Sequence, residues 1–416
     1  TNTTHRSPYP RQTTPIPMAA LRASREFDVV VFGATGFTGR KVARHLAKYA
    51  PQTRVALAGR SEDKLRAITE ELPGNVGVIV ADVFDDEQVA DMASRTKCVA
   101  SLAGPYAQLG LPIVRACVDN ETDYCDLTGE AHFIRASADK FHAEAKSKGT
   151  RIVHCCGYDS VPSDIGALLC VNALDGDVAK IDYHAGKAKG GVSGGTIASA
   201  FGVLELPSNK IKALADPYYI ADADGRGSGD SSELWGVRRT GMGMWAGPFV
   251  MAGINERVVR RSASLLKWPK SLRYHEHQLT GRGIKGLLGA IALTFSTAIG
   301  IAALAIPPLR KCIRNRFLPK QGEGPSEELC QNGHFVSTLL GESTDGRRRV
   351  KVTVKGKLDP GYAGTAVMIG EAAIALASST PKPDAGGVLT PASALGTALS
   401  DRLNKEGTIT FTVENK

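Results

Sequence analysis

Seven consecutive residues carry the first chemical signal: Gly33, Ala34, Thr35, Gly36, Phe37, Thr38 and Gly39, a GxxGxxG run. Glycines at this spacing let a chain turn sharply. They also let backbone N–H groups reach a pyrophosphate, which sits on the positive end of a following helix. The commoner dinucleotide fingerprint is GxGxxG, and a Gly-rich triplet alone is weak evidence. A strand–helix corner with glycines for packing only is the plain alternative. Three side chains elsewhere could move a proton: Tyr106, Tyr158 and Asp159. Each follows a predicted strand end, where ligands of open α/β sheets bind. Each also has a plain alternative, core or interface filler for the tyrosines and a helix cap for Asp159.

The elements needed to position these groups are legible around them. Residues 29–32 form an unbroken apolar run, the mark of a strand buried on both faces. The glycine run follows at once, and Val42, Leu46 and Tyr49 then recur at helical spacing. Strands are predicted over 54–58, 76–80, 98–102, 122–126 and 151–155. They alternate with helices over 62–72, 85–94, 109–118 and 130–148. That alternation predicts a parallel, Rossmann-like doubly wound α/β sheet. Asp126 and Glu130 read as caps of the 130–148 helix.

The strand ends specify the ligand further. NAD-binding sheets usually place an acid at the end of the second strand, to hold the ribose 2′-hydroxyl. Here that place reads Ala58, Gly59, Arg60, Ser61, with no acid to repel a 2′-phosphate and Arg60 able to pair with it. This favours NADP over NAD, although NAD is not excluded; Arg60 as a solvated surface charge is the alternative. Asp82 and Val83 follow the third strand, bordering the adenine or, for Asp82, capping a helix. Ala103, Gly104 and Pro105 follow the fourth, where the chain must pass the cofactor or simply turn.

After residue 160 the alternation relaxes. Asp159 and Asp164 flank Pro162 at a turn of the sort that ends one domain and begins another. Strands are predicted over 181–184, 334–340 and 349–355, the last two joined by Asp345–Gly346. Thr196 could cap a helix after a Gly- and Ser-rich loop. Residues 365–379 read as an apolar helix, and 392–403 as a helix near the chain's end. The alternating charges of 349–355 are a solvated strand face, so no nucleic-acid patch follows. His154 lies in an apolar strand and His275 and His277 are isolated, so no metal site is expected. The eight cysteines form no CxxC pair, and several sit in apolar strands as small hydrophobes, which suits a reducing compartment.

Residues 286–306 hold no charge, long enough to cross a hydrocarbon core of about 30 Å as a helix. Between Arg257 and Arg316 there are twelve basic residues and one acid, Glu276. Basic flanks suit an anionic membrane surface, and Trp235, Trp245 and Trp268 lie upstream. A buried core helix, a true crossing and an in-plane or hairpin insertion all remain open. The first 25 residues contain no acid and read as a disordered basic arm, with an organelle transit segment as a second reading.

Several motifs together resemble the saccharopine dehydrogenase-like oxidoreductases, and within them the trans-acting enoyl reductases of complex-lipid synthesis. They are GATGFTG (33–39), AGR (58–60), AGPY (103–106), DLTGE (126–130), GYDSVPSD (157–164), SGGT (193–196), GPFVMAGIN (247–255), GEGPSEE (322–328) and GGVLTPASALG (386–396). The resemblance implies an N-terminal Rossmann domain over 26–160 and an inserted, membrane-associating α/β domain over 161–385. It implies a helix in 386–416 that returns to the first domain. It also implies NAD(P) chemistry on a lipid-like substrate, with enoyl reduction as the reaction. Residence would be at a membrane or lipid-droplet surface facing the cytosol, with a homodimer as a further expectation. It hands over no defined catalytic residue.

Overall fold

The computed structural model describes residues 18–190, 207–229, 235–317, 324–379 and 385–415. The predicted helix cap at Thr196 and the SGGT motif fall outside these residues. Six parallel strands, β1 (Phe27–Phe32), β2 (Val55–Gly59), β3 (Gly77–Val80), β4 (Thr96–Ser101), β5 (Asp123–Asp126) and β6 (Arg151–Val153), lie in the order β6-β5-β4-β1-β2-β3. Val29, Val30 and Val31 of β1 have no exposed surface, as expected of a central strand covered by helices on both faces. Helices Phe37–Tyr49 and Glu62–Glu70 cover one face, with Thr365–Ser378; helices Asp86–Ser94, Tyr106–Asp119 and Ala131–Ser147 cover the other.

Helix Val161–Ala173 leads from β6 into a second sheet. It comprises β7 (Lys180–Lys189), β8 (Arg238–Arg239), β9 (Trp245–Pro248), β10 (Arg273–Gly281), β11 (His334–Glu342) and β12 (Arg349–Gly356), in the order β12-β11-β7-β10-β9-β8. Only β7 and β10 pair in parallel; the other neighbours are antiparallel. Helices Val161–Ala173 and Ala252–Leu265 pack on this sheet. Gly166 meets Leu339 there, at a distance where a Cβ would stand 2.6 Å from a Leu339 methyl.

The two ends of the chain depart from the sequence reading. Residues 18–23 of the basic arm are helical (Met18–Ala23). Arg22 there pairs with Asp123 at 2.8 Å and donates to the Leu376 carbonyl, both buried. The segment folds because its cations find buried acceptors. At the other end, β13 (Gly387–Leu389) adds to β6 of the first sheet, and helices Pro391–Leu395 and Thr397–Glu406 follow. A last strand, β14 (Ile409–Asn415), crosses to the second sheet and pairs with β12. The C-terminal stretch therefore stitches both sheets together.

Candidate active site at the carboxyl edge of the first sheet

The glycine run is shaped by contacts that no side chain could share. Gly33 has φ +79°, and a Cβ on it would stand 3.0 Å from the Ala103 amide nitrogen. A Cβ on Gly39 would stand 2.4 Å from the Gly33 carbonyl, so the helix sits directly on the turn. Gly33 N–H bonds Ala58 O, and Gly36 N–H bonds Gly33 O at 3.0 Å. Helix Phe37–Tyr49 then begins at Gly36 with no side-chain cap. Its first amides are thus left for an anion, with Thr35, Gly36, Phe37 and Thr38 half-buried rather than sealed. Ala34 is fully buried and forms the wall. Phe37 turns its ring away, edge-on to Tyr362 at 5.2 Å with the Lys41 ammonium 4.9 Å above it. Gly324 packs on that ring, and Glu327 pairs with Lys41 at 2.6 Å.

At the end of β2, Arg60 is exposed and has no ion-pair or hydrogen-bond partner among the described residues. Ser61 starts helix Glu62–Glu70 without spending its hydroxyl on a cap. Asp82 is committed to a turn: its carboxylate accepts Phe84 N–H at 3.1 Å, and its own N–H bonds Gln88. Asp85, not Asp82, caps helix Asp86–Ser94. Val83 is buried and supports that turn. Ala103 abuts Gly33, and Gly104 and Pro105 lead into helix Tyr106–Asp119. That helix is capped from another element. Glu130 accepts Tyr106 N–H at 3.0 Å and Ala107 N–H at 2.9 Å, while making no cap bond to its own helix. Asp126 accepts Thr128 N–H and Tyr124 O–H and pairs with His154 at 2.7 Å, so it organises the β5–β6 edge.

The three candidate proton donors separate cleanly. The Tyr106 hydroxyl donates to Ser101 O at 3.0 Å and accepts Leu127 N–H. It is buried, and burial pushes its pKa well above the ordinary tyrosine value. Tyr158 lies edge-on to Phe335 at 4.7 Å, and its amide bonds Thr365 Oγ1. Its hydroxyl lies toward Ser337 and Tyr183 of the second sheet, and burial, then Glu276 and Asp159, push it up. Asp159 is half-buried, with no hydrogen-bond or ion-pair partner among the described residues. Burial raises its carboxyl to about 6. A Cβ on Gly129 would stand 3.8 Å from its Oδ2, so the carboxylate spans the loops after β5 and β6.

His154 is held between Asp126 and Ser137 as a packed polar residue. Among the described residues, no three His, Cys, Asp or Glu side chains have metal-holding geometry.

Residues 29–153 match the family described as the saccharopine dehydrogenase NADP binding domain. A Mycobacterium tuberculosis relative is 37% identical over 413 residues, covering 92% of this chain and 96% of its own. The trans-acting enoyl reductase of Mycobacterium ulcerans is 36% identical over 410 residues, covering 93% and 98%. This chain belongs to the saccharopine dehydrogenase-like oxidoreductase family. Saccharopine dehydrogenase (L-Glu forming) from Saccharomyces cerevisiae shares the fold, with a TM-score of 0.51 at 13% identity over 93% of this chain and 99% of that one. The family member described here is an NADP-dependent oxidoreductase. Its residues fit that cofactor. The cradle at Gly33 to Gly39 admits no Cβ at its first and last glycines, and no acid stands at the β2 end.

Proposed function

We propose that this family member reduces the enoyl double bond of a lipid- or polyketide-type substrate, at the cytosolic face of a membrane or lipid droplet. The residues from Gly33 to Gly39 and Arg60 would hold NADPH, which would supply a hydride to the β carbon. The chain must then deliver a proton to the α carbon as the enolate collapses. Asp159 supports this reading best. It is the candidate whose acid is not spent on a neighbour, and burial holds it protonated up to about pH 6. Its O–H bond breaks as the substrate C–H bond forms. The resulting carboxylate, half-buried, regains a proton from solvent. Tyr106 and Tyr158 act as walls: one fixes the loop after β5, the other bridges to the second sheet. Arg60 binds the 2′-phosphate, and Ser61, whose hydroxyl caps no helix, shares it.

NADPH consumption with a panel of 2-enoyl thioesters and lipid extracts tests the chemistry. Asp159→Asn is expected to lower kcat by about 10²–10⁴ with NADPH affinity unchanged. Wild-type kcat is expected to fall as pH rises through about 6, where Asp159 loses its proton, and the variant to lose that limb. An unaltered kcat and pH profile in Asp159→Asn removes Asp159. Nucleotide binding without turnover across the panel favours a non-catalytic scaffold. Arg60→Ala should weaken NADPH binding by about 10- to 100-fold, as expected for a charge-assisted bond, and NADH binding far less; equal losses remove its role.

A further inference from the structure

The most apolar 18-residue window of helix Gly283–Ala305 has a mean hydropathy of 2.1, yet only 6% of it is buried. The buried part is confined to its base. Thr280 Oγ1 bonds Gly286 O at 2.8 Å and Trp245 O at 3.0 Å. A Cβ on Gly286 would stand 2.4 Å from the Gly281 carbonyl, Ala290 has no exposed surface, and Leu293 lies against Gly247 of β9. Beyond Leu293 the helix leaves the protein. Phe295 and Ile299 are two-thirds exposed, and Ile301 and Ile306 half. A contiguous exposed apolar surface marks an interaction site.

Its occupant is specified by length, charge and connectivity. The free part, 294–306, is about 18 Å long at 1.5 Å per residue. A crossing needs about 30 Å. The chain then turns at Pro307 into helix Pro307–Phe317, whose sequence carries Arg310, Lys311, Arg314 and Arg316. Arg282 and Lys285, both exposed, stand at the base. No acid occurs between Glu276 and Glu323. By Gly324 the chain is back on the ring of Phe37. Both ends of the excursion are therefore held by one body on one side. Trp235, shortly before β8, and Val250, shortly after β9, are further exposed apolar side chains of this sheet edge.

We infer that residues 283–317 are a re-entrant wedge that enters one leaflet of an anionic phospholipid bilayer, with the apolar helix in the acyl chains and the basic helix among the headgroups. The inference rests on the membrane seat proposed above but not on enoyl reduction.

The test uses the full chain and vesicles of phosphatidylcholine with or without phosphatidylglycerol. Binding by flotation should be about tenfold or more tighter to the anionic vesicles, given about 1 kcal/mol per basic residue near such a surface. Phe295→Asp with Ile299→Asp should abolish binding, and these exposed positions leave the fold and thermal melting unchanged. Arg282→Glu with Lys285→Glu should erase the anionic preference. Cys312 is exposed and the other seven cysteines are buried. In the bound protein, Cys312 should react with a membrane-impermeant maleimide added outside. Protection of Cys312 in the vesicle lumen would overturn the wedge in favour of a crossing. Equal binding to neutral vesicles, or preference for phosphatidylcholine-coated triolein droplets, would overturn the anionic bilayer. Binding to neither vesicles nor droplets overturns the wedge and the membrane or droplet seat together. Absent enoyl turnover with binding intact overturns only the chemistry.

Discussion

Among the described residues, two helices are long and apolar enough to cross a membrane, and the fold treats them in opposite ways. The most apolar 18-residue window of Pro360–Ser378 has a mean hydropathy of 1.2 and is 89% buried; that of Gly283–Ala305 has the higher value, 2.1, and is 6% buried. The difference lies in what each helix offers a neighbour. Thr365–Ser378 is rich in alanine and lies between β1, β4, β5 and helices Phe37–Tyr49 and Thr397–Glu406. Small residues let it nest closely on every side. It also carries a buried acid, Glu371, answered by His45 at 3.0 Å and Arg402 at 2.8 Å. Gly283–Ala305 nests only where its own glycines and Ala290 meet β9 and β10, and turns its large side chains outward. Hydropathy measures a preference for leaving water; packing partners decide what replaces the water.

The largest expected effect that could break this contrast is in the core helix. Leu376→Ala removes a side chain with no exposed surface and should cost about 2–5 kcal/mol in urea unfolding. Next is the polar lock. Burial pushes the Glu371 carboxyl up, but hydrogen bonds and charge from His45 and Arg402 outweigh it and leave it below the ordinary value. The lock's stability is therefore fully present above about pH 4.3 and lost as pH falls through the depressed value. Glu371→Gln should lose about 1.5–3 kcal/mol near neutrality, with wild type and variant converging in acid. A gap that persists undiminished at pH 2 would show that Glu371 acts through shape alone. The smallest expected effect is Phe295→Ala, within about 0.5 kcal/mol of wild type. If Phe295→Ala and Leu376→Ala destabilise equally, the outward helix has a protein partner in solution and the contrast fails.

The first sheet was legible because local patterns suffice for it: apolar runs of strand length, a glycine corner after β1, and amphipathic helices between. The crossings at the chain's end were not. Gly387–Leu389 is three residues long, and Ile409–Asn415 pairs with a strand some sixty residues earlier, so neither carries a local signature of its partner. The helix Met18–Ala23 was hidden for the same reason, since Asp123 and the Leu376 carbonyl that hold Arg22 lie far along the chain. At the site, residue type placed Tyr106, Tyr158 and Asp159 at strand ends but could not show which acid is already engaged. Glu130 illustrates the limit. Its sequence position suggests a cap for the helix it precedes, and its carboxylate serves the helix beginning at Tyr106.

The contact of Gly324 with the Phe37 ring, braced by Lys41 and Glu327, is where the returning chain meets the first turn of the phosphate-cradling helix. The return point of the chain after residues 283–317 thus lies beside the candidate nucleotide cradle. On the wedge proposal, nucleotide exchange is expected to run at a different rate in the surface-bound protein than in the free one.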